Sequence, residues 1–180
     1  MARVGISQYS TTPGDNSDVN GINIAEGCPP SSVNNAIRQI MADLATLIGG
    51  GIATIGQIWT GTANNAIVTP KSIYDAAAFQ TITDAATVTL ADTNGLNMTW
   101  TLGGNRTLAN PASSFMIPGR SGVIEIVQDG TGSRTLTFGS QWKIAGGAPI
   151  LSTTPGAVDT ISYIVRSSTV IRATFVRGYV

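Results

Sequence analysis

From residue 87 to residue 177, short runs of alternating apolar and polar residues are separated by glycine-containing turns. A two-residue period sends successive side chains to opposite faces of a strand, so the pattern commits this half of the chain to β-structure. Met98, Trp100 and Leu102 share one face, and Asn97, Thr99 and Thr101 share the other. Leu136 with Phe138, then Ile161, Tyr163 and Val165, then Ile171, Ala173 and Phe175 continue the pattern. Residues 122–128 are almost wholly apolar apart from Glu125, which predicts a central strand covered on both faces. A charge there calls for a partner, with Arg106, Arg134 and Arg172 as candidates. Asp129-Gly130-Thr131-Gly132-Ser133 and Arg166-Ser167-Ser168-Thr169 read as hairpin loops. Together these signals predict a mainly β fold whose head, over 84–180, is an antiparallel β-sandwich or jelly-roll-like structure.

Upstream, Pro29-Pro30 followed by Ser31-Ser32 marks a helix start over 31–48. Val33, Ile37, Ile40, Leu44 and Leu47 follow a 4-3-4-3 spacing, a heptad seam widened by Ala36, Met41 and Ile48. A helix of this length is marginal alone in water, so the seam must be buried. It packs either on the chain's own β-region or in a parallel bundle about a threefold axis. Ile at one core position with Ile or Leu at the other leans to three strands. Residues 1–30 are polar and turn-rich and predict an extended leader. Within them Asn16-Ser17-Asp18-Val19-Asn20-Gly21 has the front half of a calcium loop, but the twelfth position is Gly27, with Glu26 one residue short. The better reading is an Asx-rich turn, with no metal. Residues 49–83 read as a connector with a short helix near 70–79, capped by Thr69 and opened by Pro70.

Composition removes several function classes. The chain has 180 residues, no His and one Cys, which excludes Ser-His-Asp and Cys-His catalysis and an internal disulfide framework. Charged residues are only 11%, with ten basic against ten acidic, so there is no electrostatic footprint for nucleic acid or for an anionic membrane. No signal peptide and no membrane span is predicted.

Three phrases stand in order within the β-region: Leu102-Gly103-Gly104-Asn105-Arg106-Thr107-Leu108-Ala109-Asn110-Pro111, then Gln128-Asp129-Gly130-Thr131-Gly132-Ser133-Arg134-Thr135-Leu136, then Ser162-Tyr163-Ile164-Val165-Arg166-Ser167-Ser168-Thr169. They closely resemble the C-terminal β-domain of bacteriophage tail fibre and spike proteins. Tyr9-Ser10-Thr11-Thr12 and the string from Gly21 to Asn34 are similar to the N-terminal leader of such proteins. The resemblance implies a non-enzymatic structural protein of the virion exterior, a homotrimer without cofactors. Residues 1–30 would attach to another virion protein of head, collar, tail or baseplate, with Tyr9, Ile22, Ile24 and Cys28 as attachment residues. Residues 31–48 would form the trimerisation stalk. The alternatives are an adhesin for host attachment, binding surface glycan with Trp142 as the candidate contact, and a glycan-cleaving tail spike.

Cleavage of polysaccharide by paired carboxylates needs no His, and Asp84, Asp92, Glu125, Asp129 and Asp159 are the acidic residues available for it. Three of these sit in turns, where Asp is favoured for local hydrogen bonding, so no catalytic residue is expected. Trp100 and Tyr163 read as core; Trp142, in a polar string, reads equally as exposed or buried, and the resemblance, in which Trp-Lys follows a Phe-Gly turn, implies a packing role. Cys28 reads as a free thiol or, less well, as a bridge to a different virion protein.

Overall fold

A computed structural model of the protein describes residues 9–12, 15–48, 51–62 and 66–179. The chain divides into two compact units, Met1–Ala53 with Ala63–Thr69, and Thr54–Thr62 with Pro70–Val180.

The spine of the first unit is α1 (Pro30–Ile48). Prolines open it where a helix has no intrahelical use for amide donors, and the Ser32 amide donates to the Pro29 carbonyl at 2.9 Å. Ahead of α1 stands a small hairpin, β1 (Asp18–Val19) and β2 (Ile22–Asn23). Its turn is Asn20-Gly21, at φ 49° and 81°, the pair that a two-residue hairpin loop with positive φ selects. The hairpin packs on α1, and Val19 and Ala36 are both buried. The expected extended leader is therefore folded over this stretch, where the Asn-Gly turn closes the hairpin and Val19 is buried.

The second unit opens with α2 (Ile55–Thr60), inside the stretch expected as connector. Thr54 Oγ1 accepts from the Gln57 amide and Gln57 Oε1 accepts from the Thr54 amide, a reciprocal cap. Then α3 (Pro70–Ala76) starts at Pro70 as its sequence predicts and stops at Ala76, short of Phe79, which instead begins a strand.

Nine strands follow: β3 (Phe79–Thr81), β4 (Thr87–Val88), β5 (Asn97–Leu102), β6 (Arg106–Leu108), β7 (Ser121–Gln128), β8 (Leu136–Phe138), β9 (Trp142–Ile144), β10 (Val158–Ser167) and β11 (Val170–Tyr179). They form a six-stranded sheet in the order β3-β5-β7-β10-β11-β9 and a three-stranded sheet β4-β6-β8. The mainly β expectation holds, but the strand directions are mixed. β3, β5 and β7 run parallel, as do β4, β6 and β8. Each of three successive turns of chain thus places one strand in the large sheet and the next in the small one, a parallel coil of three rungs. Within these two sheets antiparallel pairing is confined to β7-β10 and the β10-β11 hairpin. The 129–133 loop is accordingly not a hairpin. It carries the chain round a corner from one sheet to the other, because β7 already has β5 and β10 as neighbours.

The core collects one face of each main strand. Met98, Trp100 and Leu102 of β5, Ile124 and Ile126 of β7, and Ile161 of β10 are fully buried. The opposite face of β7, which carries Val123, Glu125 and Val127, is half-buried, so β7 is covered on one face and not on both. At Gly122 the Leu96 carbonyl stands where a side chain would be. Tyr163 Oη donates to that carbonyl at 2.8 Å, so only glycine fits the crossing.

Candidate functional site

Residues of α1 at helical spacing divide into two adjacent faces. Val33, Ile37, Ile40 and Leu44 are 46, 53, 40 and 45% exposed, and the Leu47 side chain lies outside the described residues. Ser32, Ala36, Gln39 and Asp43, at the same spacing one step round, are buried or half-buried. The leader lies along this second face: Tyr9 Oη donates to Asp43 at 2.7 Å and Gln39 Nε2 donates to the same carboxylate at 2.9 Å. Burial first, and then the Asp43 carboxylate, push the Tyr9 hydroxyl up to about 12. Ala36, which the heptad pattern assigns to the flank of the seam, sits on the leader-covered side, since a small side chain lets the hairpin approach.

The residues predicted for virion attachment do not form one cluster of contacts. Tyr9 is bound to α1, while Ile22 belongs to β2 and Ile24 follows it, both half-buried. Cys28 is a free thiol, half-buried just before α1. Asn16 exchanges hydrogen bonds with the Ser10 backbone, and the Gly21 amide donates to Asp18, so this stretch is built as Asx-stabilised turns.

Trp142, the candidate glycan contact whose polar neighbours left its exposure open, is 5% exposed. Its ring meets Phe138 and Tyr163 edge-on, and its Nε1 donates to the Ala109 carbonyl at 3.0 Å. A stacking platform needs an open ring face, and this ring is core. The pattern of β9 explains the burial: Trp142 and Ile144 point inward and Lys143 outward.

The carboxylates are held singly. Asp84 accepts from Arg106 Nε and Trp100 Nε1, each at 2.9 Å, and from the Gly103 amide. The Arg106 guanidinium, first among these donors, lowers its carboxyl to about 2. Asp129 is likewise lowered to about 2, chiefly by Arg134, and also accepts the Thr131 and Gly132 amides that shape the corner. Asp159 is fully buried and accepts from Ser152 and from the Gly178 amide. Two of the expected Glu125 partners, Arg106 and Arg134, are thus engaged by Asp84 and Asp129 instead. Asp84 and Asp129 lack the raised pKa that a general acid needs.

Sequence reasoning missed Arg120. It is buried and donates to the carbonyls of Trp59, Asp92 and Gly95, with its guanidinium 4.5 Å from the Phe115 ring centroid. These carbonyls lie far from it in sequence, so no local pattern announces the site. Trp59 Nε1 in turn donates to the Ala76 carbonyl, so Arg120 and Trp59 together tie α2 and α3 to the start of β7. No helix among the described residues is long and apolar enough to cross a membrane.

Residues 68–167, which run from just before α3 to the end of β10, match the family model described as "putative phage tail fibre C-terminal domain". No curated protein and no solved structure matches the chain.

Proposed function

Because this chain belongs to the phage tail fibre C-terminal domain family, and so to the structural fibres of the virion, we propose that it acts there as a homotrimer without enzymatic activity. In this reading α1 is the trimerisation stalk, the leader docks the protein on another virion protein, and the β-rich unit projects outward. The observation that carries it is the open stripe of Val33, Ile37, Ile40 and Leu44. Four large apolar side chains at heptad spacing on one helix face need cover, and the leader occupies the neighbouring face and leaves the stripe free. Light scattering on the purified full-length chain tests the reading. A mass three times the 18.5 kDa of one chain is expected, and a monomer at micromolar concentration would reject it.

A further inference from the structure

The outer face of the six-stranded sheet carries aliphatic side chains, Val123 and Val127 on β7, Val158 and Ile164 on β10, and Val176 on β11, of which Ile164 and Val176 are exposed. Among them stands Glu125, half-buried in mid-strand, with no hydrogen bond or ion pair among the described residues. The same face ends in exposed cations, Arg166 beyond Ile164 on β10 among them. Lys143 and Arg172 lie side by side in the β9-β11 register, both exposed and neither in an ion pair among the described residues. Like charges directly across a strand pair are destabilising, and a carboxylate half-buried between Val123 and Val127, with Thr99 and Thr160 beside it in the ladder, is costly without a charged partner. The face therefore carries uncompensated charge of both signs.

The two charges are too far apart to satisfy each other. Glu125 is in register with Thr160 and Val176, whereas Arg172 is in register with Ile164 and Ser121. The offset is four residues along the strands and two strands across, about 13 Å by about 10 Å from strand geometry. Between the charges run the hydroxyls of Ser162 and Thr174, paired across β10 and β11. A groove of about 640 Å³ opens beside Lys143, Ile164 and Arg172.

We propose that this face is the contact between β-rich units of neighbouring copies, with Glu125 of one copy seated between Lys143 and Arg172 of the next. A second copy supplies both missing partners, whereas an anionic ligand would answer the cations and leave Glu125 without one. Acid and base occupy different ends of the face, so in the three-copy reading each copy offers Glu125 to one neighbour and Lys143 with Arg172 to the other. Arg172 suits the role because its planar fork grips a carboxylate through two donors, with Lys143 adding a point charge. The inference rests on the three-copy reading and adds to it a second assembly surface, apart from α1.

Charge reversal in the full-length chain tests it. Glu125→Arg and Arg172→Glu are each expected to raise by at least about tenfold the concentration at which the assembly dissociates. The doubly reversed protein should recover most of that loss, which distinguishes pairing from misfolding. Near-ultraviolet circular dichroism of each single variant at high concentration checks that the β-rich unit is folded. A trimeric wild type whose dissociation is unmoved by either reversal, or not restored by the pair, overturns the inference and leaves the α1 stalk standing. A monomeric wild type instead removes the three-copy reading itself. Unchanged assembly in all variants with loss of retention on heparin-agarose by Arg172→Glu alone would mark the cations as an anionic-polysaccharide site and reject the copy-to-copy contact.

Discussion

The indole nitrogen of Trp100 donates to Asp84 across 2.9 Å, joining the fully buried centre of β5 to the segment between β3 and β4. Asp84 also receives Arg106 and the Gly103 amide. One carboxylate thus fastens the first turn of the three-rung coil to the second.

Its ionisation should govern part of the acid stability. The carboxyl of Asp84 lies at about 2 against an ordinary 3.8, so the folded state holds the charged form more firmly than the unfolded chain does. That stabilisation is complete above about pH 4 and lost as the pH falls through 2. Asp84→Asn keeps an acceptor for Trp100 but abolishes the charge. It should unfold at lower denaturant concentration than wild type at pH 7, with the gap closing as the pH approaches 2. A gap constant across that range would show that the charge does not contribute.

Trp142→Ala should act on the fold. Removing a buried aromatic of this size costs about 3–5 kcal/mol, and here it also strips packing from Phe138 and Tyr163. Equilibrium denaturation is the measurement. A variant as stable as wild type would mean that the ring is not part of the core.

Arg120 offers the sharper case, because its loss leaves the three carbonyls of Trp59, Asp92 and Gly95 without their donor. Arg120→Met keeps the apolar stem and should destabilise by more than about 3 kcal/mol, since hydrogen bonds to a charged group are worth about 1.5–3 kcal/mol each. Arg120→Lys retains the charge but has no planar fork and should fall between. Equal stability of the methionine variant and wild type would show the three bonds to be dispensable.

What could be read from sequence follows the range of the interaction. Period-two alternation identified the inward faces of β5, β10 and β11, because side-chain direction is a local property of a strand. Strand direction is not local: the Asp129-Gly130-Thr131-Gly132-Ser133 loop has hairpin composition, yet it turns a corner between sheets, and only the prior pairing of β7 decides this. The leader hairpin was legible in Asn20-Gly21, a signal overshadowed by the oxygen-rich residues before it. The polar neighbours of Trp142 leave its side open, and its alternation with Lys143 settles it only once the inward face of β9 is known. Arg120 could not be found, since its three acceptors converge only in the folded chain.

The leader supplies a prediction opposite to its composition. Glycine, serine and asparagine suggest a segment that proteases remove at once, but Tyr9 and the β1-β2 hairpin tie the described leader residues to α1. Limited proteolysis of the purified full-length protein should spare this stretch, and Tyr9→Phe should speed its loss severalfold by deleting the bond to Asp43. Equal cleavage rates would show that the hairpin holds without the tyrosine.

The α1 stripe allows the most decisive substitution. Ile40 lies mid-way along it, 40% exposed in the single chain, so an aspartate there costs little unless other copies cover it. In a threefold seam three carboxylates would meet in an apolar axis, and burying unpaired charge costs several kcal/mol per group, more than two heptads of packing can offset. Ile40→Asp should therefore dissociate the assembly or leave it held only by contacts between β-rich units. The control must avoid Gln39, which is bonded to Asp43 beneath the leader. Asn35, exposed on another side of the helix, serves instead, and Asn35→Asp should leave the mass unchanged. If light scattering shows wild type and Ile40→Asp dissociating at the same concentration, the stripe is not an assembly seam.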